Sequence, residues 1–205
     1  MLIVPDLQTI KPRCVLANGK IIARDGRLLA APRTHTFATT SVQTIHLTQD
    51  MTPDDFALPA SVEKSEVTVR AIEMLTDLVT REQPISCPVH AGEVQIDTKK
   101  DLLKIAAIDR THNPGKTCVG LIKGFGLQKG AMACSAAWDS SVILVVGADE
   151  TDMALAVNRI KALQGGAVVC LQGQVTAELP LPIFGIMSDL PLERLAVQMH
   201  TVNQA

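Results

Sequence analysis

The sequence predicts an α+β fold: a mostly antiparallel sheet packed with a few helices, preceded by a small N-terminal β-meander. Three observations predict it. Strand-like runs outnumber helical ones, and short turns join consecutive runs, which favours antiparallel neighbours. The 205 residues are 47% hydrophobic and 20% charged, enough to bury a core without disulfide or metal staples.

The elements follow in order. Cys14-Val15-Leu16-Ala17, Asn18-Gly19, Lys20-Ile21-Ile22-Ala23, Asp25-Gly26 and Arg27-Leu28-Leu29 alternate β-rich runs with Asn-Gly and Asp-Gly, the strongest short-range hairpin signals. Residues 1–30 are therefore read as the meander. Residues 31–65 turn irregular, with Pro32, Pro53 and Pro59 and the polar run Thr34 to Thr44, and are read as a linker or wrapping segment. Thr52-Pro53-Asp54-Asp55 opens one helical turn at most.

From residue 66 to 205 the chain reads as the main α+β domain. Glu66 to Glu82 is ambiguous, because Ala71, Ile72, Leu75, Leu78 and Val79 suit a helix while Val67 and Val69 suit a strand. Asp101 to Asp109 carries a capping-box pattern from Thr98 to Asp101, yet Asn113-Pro114-Gly115 followed by Thr117 to Ile122 reads as a turn into a return strand. Strand is the reading adopted. Met132 to Ala137 and Val142 to Val146 predict a hairpin around Trp138-Asp139-Ser140-Ser141. Met153, Val157, Ile160 and Leu163 recur at helical spacing, behind Asp149, Glu150 and Asp152 and ahead of Gly165-Gly166. Ala167 to Leu171, Gln172-Gly173 and Gln174 to Leu179 form another hairpin. A last helix carries Leu192, Leu195 and Met199 on one face, with Ser188 or Asp189 as cap and Pro191 in its first turn.

Charge and aromatic content narrow the partners. Nineteen basic and 21 acidic residues give a net charge of −2, no footprint for nucleic acid or anionic lipid. Four Phe, one Trp and no Tyr are too few for stacking platforms. No segment reads as a membrane span or leader. Cys14, Cys87, Cys118, Cys134 and Cys170 lie at wide spacing with no C-x-x-C pair, so they read as buried hydrophobes in a reducing compartment, the cytoplasm by default.

Chemical motifs are weighed one by one. Gly115-Lys116-Thr117 lacks the glycine a phosphate loop needs at Arg110, and Gly124-Phe125-Gly126 with Gly130 is one residue too long for a dinucleotide fingerprint. Flanked by Lys123 and Lys129, these glycines read instead as a wall for a polar ligand. The histidines His35, His46, His90, His112 and His200 are isolated, and His90 with Glu93 lies in a Pro/Gly context that argues against a helical ligand pair. No metal ligands are assigned, no G-x-S-x-G is present, and the catalytic candidate is Asp139 at the hairpin tip.

The run Gly120 to Ala133 resembles the C-terminal domain of the adenine deaminase family, in the amidohydrolase superfamily. The resemblance continues through Val145-Val146-Gly147, Thr151 to Asn158, Gly165-Gly166 and Leu179 to Asp189, covering roughly residues 66–200. The N-terminal meander is similar to the strands that follow the catalytic barrel of amidohydrolases and complete their small β-sandwich. The resemblance implies conversion of adenine and water to hypoxanthine and ammonia by a manganese or iron centre, whose ligands, an H-x-H pair included, lie in the barrel and not here. It also marks two departures. Trp138-Asp139-Ser140-Ser141-Val142 stands where the family has His-Asp-x-His-Asn, and Asp109-Arg110-Thr111 stands where it has Glu-Arg-His.

The leading expectation is a stand-alone accessory, assembly or ligand-binding domain, not catalytic alone and without a cofactor of its own. Its ligand residues, for a purine or another polar molecule, would be Lys123, Gly124, Phe125, Gly126, Ser140 and Asp189 beside Asp139. The alternatives are a subunit of a split adenine deaminase, which predicts an exposed apolar patch on residues 1–30, and a self-associating structural domain.

Overall fold

The computed structural model describes residues 1–8, 11–31, 35–61, 63, 65–137 and 139–205, and the chain divides into two units, Met1–Thr36 and Phe37–Ala205. The first is an antiparallel meander of β1 (Leu2–Ile3), β2 (Cys14–Ala17), β3 (Lys20–Arg24) and β4 (Arg27–Leu28). Its two tight turns are Asn18-Gly19 and Asp25-Gly26, with both residues of each at positive φ, the geometry that matches the twist of paired strands. No described residue of this unit is buried, and Leu2, Ile3, Leu28 and Leu29 are exposed.

Among the described residues the second unit holds a nine-stranded sheet. Its strands are β5 (Glu66–Met74), β6 (Thr80–His90), β7 (Glu93–Val94), β8 (Leu102–Asp109), β9 (Thr117–Lys123), β10 (Ala131–Cys134), β11 (Val142–Gly147), β12 (Gly166–Leu171) and β13 (Gln174–Pro180). The order across the sheet is β13-β12-β10-β11-β8-β9-β5-β6-β7. Neighbours are antiparallel except β5 and β9, whose parallel contact sets Ala71 beside Leu121. With the helices α1 (Thr39–Val42), α2 (Glu150–Leu163) and α3 (Leu192–Gln204), this is the α+β architecture expected.

The ambiguous stretch 66–82 is a strand pair. β5 and β6 run antiparallel from Glu66 opposite Pro88 to Met74 opposite Thr80, and Thr76 Oγ1 accepts the N–H groups of Leu78 and Val79 in the turn between them. The apparent helical spacing fails because Leu75 and Leu78, which a helix would have to bury, stand in solvent. The capping box at Thr98 is also corrected. Asp97 is the cap of a 3-10 turn over Thr98–Lys100, accepting from Lys99 N at 3.1 Å, while Asp101 closes that turn in left-handed conformation. β10 stops at Cys134, short of the expected Ala137, because the buried Ser135 turns its hydroxyl to Gly185 O (2.6 Å) and Gly166 N (2.8 Å). Trp138 of the expected hairpin tip lies outside the described residues.

α2 is the helix its spacing predicts. The Asp149 carboxylate caps it by accepting from Asp152 N at 2.9 Å, and Met153, Val157 and Ile160 are buried against the sheet. Asp152 is buried too; its carboxylate accepts from Gln172 N and Gly173 N (3.0 and 2.7 Å), tying the helix start to the β12–β13 turn. At α3 the cap differs from expectation. Pro191 is the extended residue before the helix, no side chain caps it, and Ser188 Oγ instead accepts from Leu190 N. Its expected apolar face is only partly used, since Leu192 and Met199 are exposed while Val202 is buried.

Residues 37–60 belong to the second unit. Ile45, Leu47, Met51 and Phe56 enter the core shared by α2 and one face of the sheet. Met51 is pinned at both backbone groups by the Asn158 side chain (2.8 and 2.9 Å). The single turn expected at Thr52 is present as a 3-10 turn over Pro53–Phe56 with a Thr52/Asp55 capping box.

A charged clasp crosses this unit. Lys104 of β8 is 2% exposed, and its ammonium lies 2.5 Å from Glu93 Oε1 and 2.6 Å from Glu150 Oε1. Hydrogen bonding from Lys104 holds the Glu93 carboxyl below the ordinary glutamate range. A carboxylate with a depressed folded pKa stabilises above its unfolded value, about 4.3, and that stability is lost as pH falls through the folded value. Lys104→Met is therefore expected to be less stable than the native chain at neutral pH, with the gap narrowing below about pH 4 in denaturant titrations. A gap independent of pH would show that the clasp acts through packing alone.

Candidate functional site

The structure does not bring the sequence-predicted site residues to one place. Lys123 ends β9 opposite Leu102 at the start of β8, whereas Asp139 and Ser140 precede β11, whose Val142 pairs with Asp109 at the other end of β8. Seven residue steps of extended chain separate Leu102 from Asp109, about 23 Å. Lys123 and Asp139 thus sit at opposite ends of the sheet.

At the Lys123 end the polar groups bond one another. Lys123 Nζ lies 3.2 Å from Glu73 Oε1 and 3.3 Å from Gln83 Oε1, beside a cavity of about 400 Å3 that Lys100 also lines. Arg81 first, and Lys123 with it, hold the Glu73 carboxyl below its usual range. Gly124 packs against the backbone of Met74, and Gly126 N donates to Asp101 Oδ1 at 2.8 Å. Phe125 lines a different cavity, of about 470 Å3, with Ile72, Ile105 and Leu144. Asp189 is exposed in the turn before α3 and lines none of these cavities.

Asp139 and Ser140 do come together, at the mouth of a cavity of about 360 Å3. What sequence reasoning missed is its charged wall, Arg110. This residue follows β8 in phase with Lys104, Ala106 and Ile108, and it is 6% exposed. Its backbone is held by Ser141 O and His46 N, and its Nη1 donates to Thr44 O and Oγ1 at 3.4 and 3.3 Å. Arg110 Nε has no partner, and no carboxylate pairs with the guanidinium among the described residues. Neighbouring Asp109 is engaged elsewhere: its carboxylate accepts the N–H groups of Thr111, His112 and Asn113. Those bonds, Thr111's first, hold the Asp109 carboxyl below its ordinary range.

The divalent metal implied by the resemblance does not fit the side chains present. Among the described residues no group of three or more His, Cys, Asp or Glu is placed to hold a metal ion, so no chemical step is assigned to one on this chain. No helix among the described residues is long and apolar enough to cross a membrane.

Fold and site together define an α+β domain with a hydroxyl-rich cavity and no metal cluster among the described residues. The comparisons place it in a family. Residues 77–205 match the model of the adenine deaminase C-terminal domain. The chain is similar to proteins named adenine deaminase from Clostridium botulinum (strain Loch Maree / Type A3), 35% identical over 206 residues, and Moorella thermoacetica (strain ATCC 39073 / JCM 9320), 36% identical over 206 residues. Another, from Methylobacterium sp. (strain 4-46), is 39% identical over 207 residues. These matches cover 100% of this chain and 34%, 35% and 35% of the relatives, so the chain spans about a third of their length. The chain belongs to the adenine deaminase C-terminal domain family.

Proposed function

We infer that this chain is the metal-free part of an adenine deaminase: adenine and water become hypoxanthine and ammonia only when a barrel outside residues 1–205, in the same or another polypeptide, supplies the manganese or iron site. One observation carries this reading. The four-stranded sheet of the first unit buries none of its described residues and leaves Leu2, Ile3, Leu28 and Leu29 in solvent. Taken by itself, a four-stranded sheet of that size cannot bury a hydrophobic face, as independent stability requires. A β-sandwich completed by further strands would provide that burial. The unpaired state of all five cysteines fits the cytoplasmic placement proposed with this function.

The test mixes this chain with the remaining two-thirds of a relative, such as the protein from Moorella thermoacetica truncated before its matching region. Adenine loss and hypoxanthine formation are followed with added manganese or iron. Neither part is expected to turn over alone, while the mixture co-elutes and does. Turnover by this chain alone would contradict the inference. So would a mixture that forms no complex while light scattering shows this chain as a homodimer, which would favour self-association.

A further inference from the structure

We propose that the Arg110 cavity is a binding site for a small organic monocarboxylate. The reasoning starts from an uncompensated charge. A guanidinium offers five donors, yet among the described residues Nη1 bonds only to the oxygens of Thr44, at long range, and Nε has no hydrogen-bond partner. Burial without an ion-pair partner is unfavourable, and here it pulls the Arg110 pKa down. Such a group is compensated when an oxyanion enters beside it.

The rest of the cavity narrows the ligand. Ser140 and Ser141 place hydroxyl-bearing side chains around it, which donate to an oxyanion as readily as they accept, while Thr111 Oγ1 is shared with His112 Nδ1 at 3.0 Å. Phe184 and Ile186 form an apolar wall on another side, which suits the hydrocarbon body of an organic acid. Asp139 stands exposed at the rim and opposes a second negative charge. A planar carboxylate matches the guanidinium fork with one charge, whereas a phosphate dianion meets the rim carboxylate with two. About 360 Å3 is room for a ligand of a few carbon atoms up to a single ring.

Isothermal titration calorimetry on the full chain tests this, with benzoate, acetate, inorganic phosphate and chloride as probes. Benzoate is expected to bind saturably and at least about tenfold tighter than chloride, with acetate between them and phosphate weaker than benzoate. Arg110→Gln should lose that about tenfold preference. Asp139→Asn, at an exposed position that leaves the core untouched, should tighten benzoate by about threefold. Phe184→Ala should weaken benzoate and leave acetate unchanged. If Arg110→Gln fails to fold, Asp139→Asn and Phe184→Ala decide: the expected responses support the site, and unchanged affinities in both overturn it. Benzoate no tighter than chloride overturns the site altogether, and phosphate tighter than benzoate overturns its assignment to a monocarboxylate.

Discussion

Phe56→Ala is expected to destabilise the larger unit by about 3–5 kcal/mol, a fall in melting temperature of about 10 °C. Phe56 is 0% exposed, although it stands on a single 3-10 turn in a stretch that otherwise lacks long regular structure. The turn itself is fixed by local chemistry, through the reciprocal Thr52 and Asp55 bonds and by Pro53 at its start. The ring then enters the core that α2 shares with β8, β10 and β11. Truncating it leaves a cavity lined by side chains of fixed elements, where collapse is limited. Leu78→Ala is the control, since Leu78 is 95% exposed and its removal should change stability by no more than about 0.5 kcal/mol. Equal effects of the two substitutions in denaturant titrations would mean that residues 37–60 do not form part of the folded core. The same segment carries Thr44, the one hydrogen-bond partner of the Arg110 side chain among the described residues, so loosening it should also weaken the benzoate binding proposed at that cavity.

Turn chemistry and period explain which elements were legible. Asn18-Gly19, Asp25-Gly26 and Gln172-Gly173 are local instructions, and each makes the hairpin it predicts. α2 was legible because its buried stripe, its acidic first turn and its glycine stop agree with one another. Glu66 to Glu82 was not, because apolar residues at helical spacing also occur by chance where a strand runs into a turn. Only the long-range pairing with β6 and β9 decides between them.

The site was half legible for a similar reason. Asp139 and Ser140 were found from the turn they sit on, and they do share a cavity. Lys123 stands apart from them because the register of β8 puts Leu102, its partner, seven residues from Asp109 at the Asp139 end, and no local pattern reports that register. Arg110 carried a readable signal. It stands two residues beyond Ile108, in phase with Ala106 and Lys104, so the alternation that buries those residues buries it as well. A cation in phase with a core face must find a counter-charge, and Lys104 finds two carboxylates. Arg110 finds none among the described residues, and on that difference rests the proposal of a binding site there.

Gly165→Ala is expected to destabilise the same unit by about 3 kcal/mol or more, about 6–12 °C in melting temperature. Gly165 follows the left-handed Gln164 at the end of α2 with φ +127°, a conformation that side chains rarely adopt. Space is the second constraint. A Cβ there would lie 2.5 Å from Gly185 Cα and 2.5 Å from Leu181 O, both backbone atoms that cannot swing away like a side-chain tip. The 181–185 segment has no room to retreat, because Gly165 O already accepts from Leu181 N at 2.9 Å and Gly185 abuts Arg110 on its far side. Gly115→Ala separates the two constraints: Gly115 has φ +88° but nothing within 4 Å of its would-be Cβ, so only backbone strain applies, about 1–2 kcal/mol. The excess at Gly165 measures the rigidity of the close approach. Since Gly185 would be pushed toward the guanidinium, Gly165→Ala in any fraction that stays folded should also bind benzoate more weakly, whereas Gly115→Ala should not. Equal losses of stability in the two variants would show that the 181–185 segment yields, and that the wall of the Arg110 cavity is compliant.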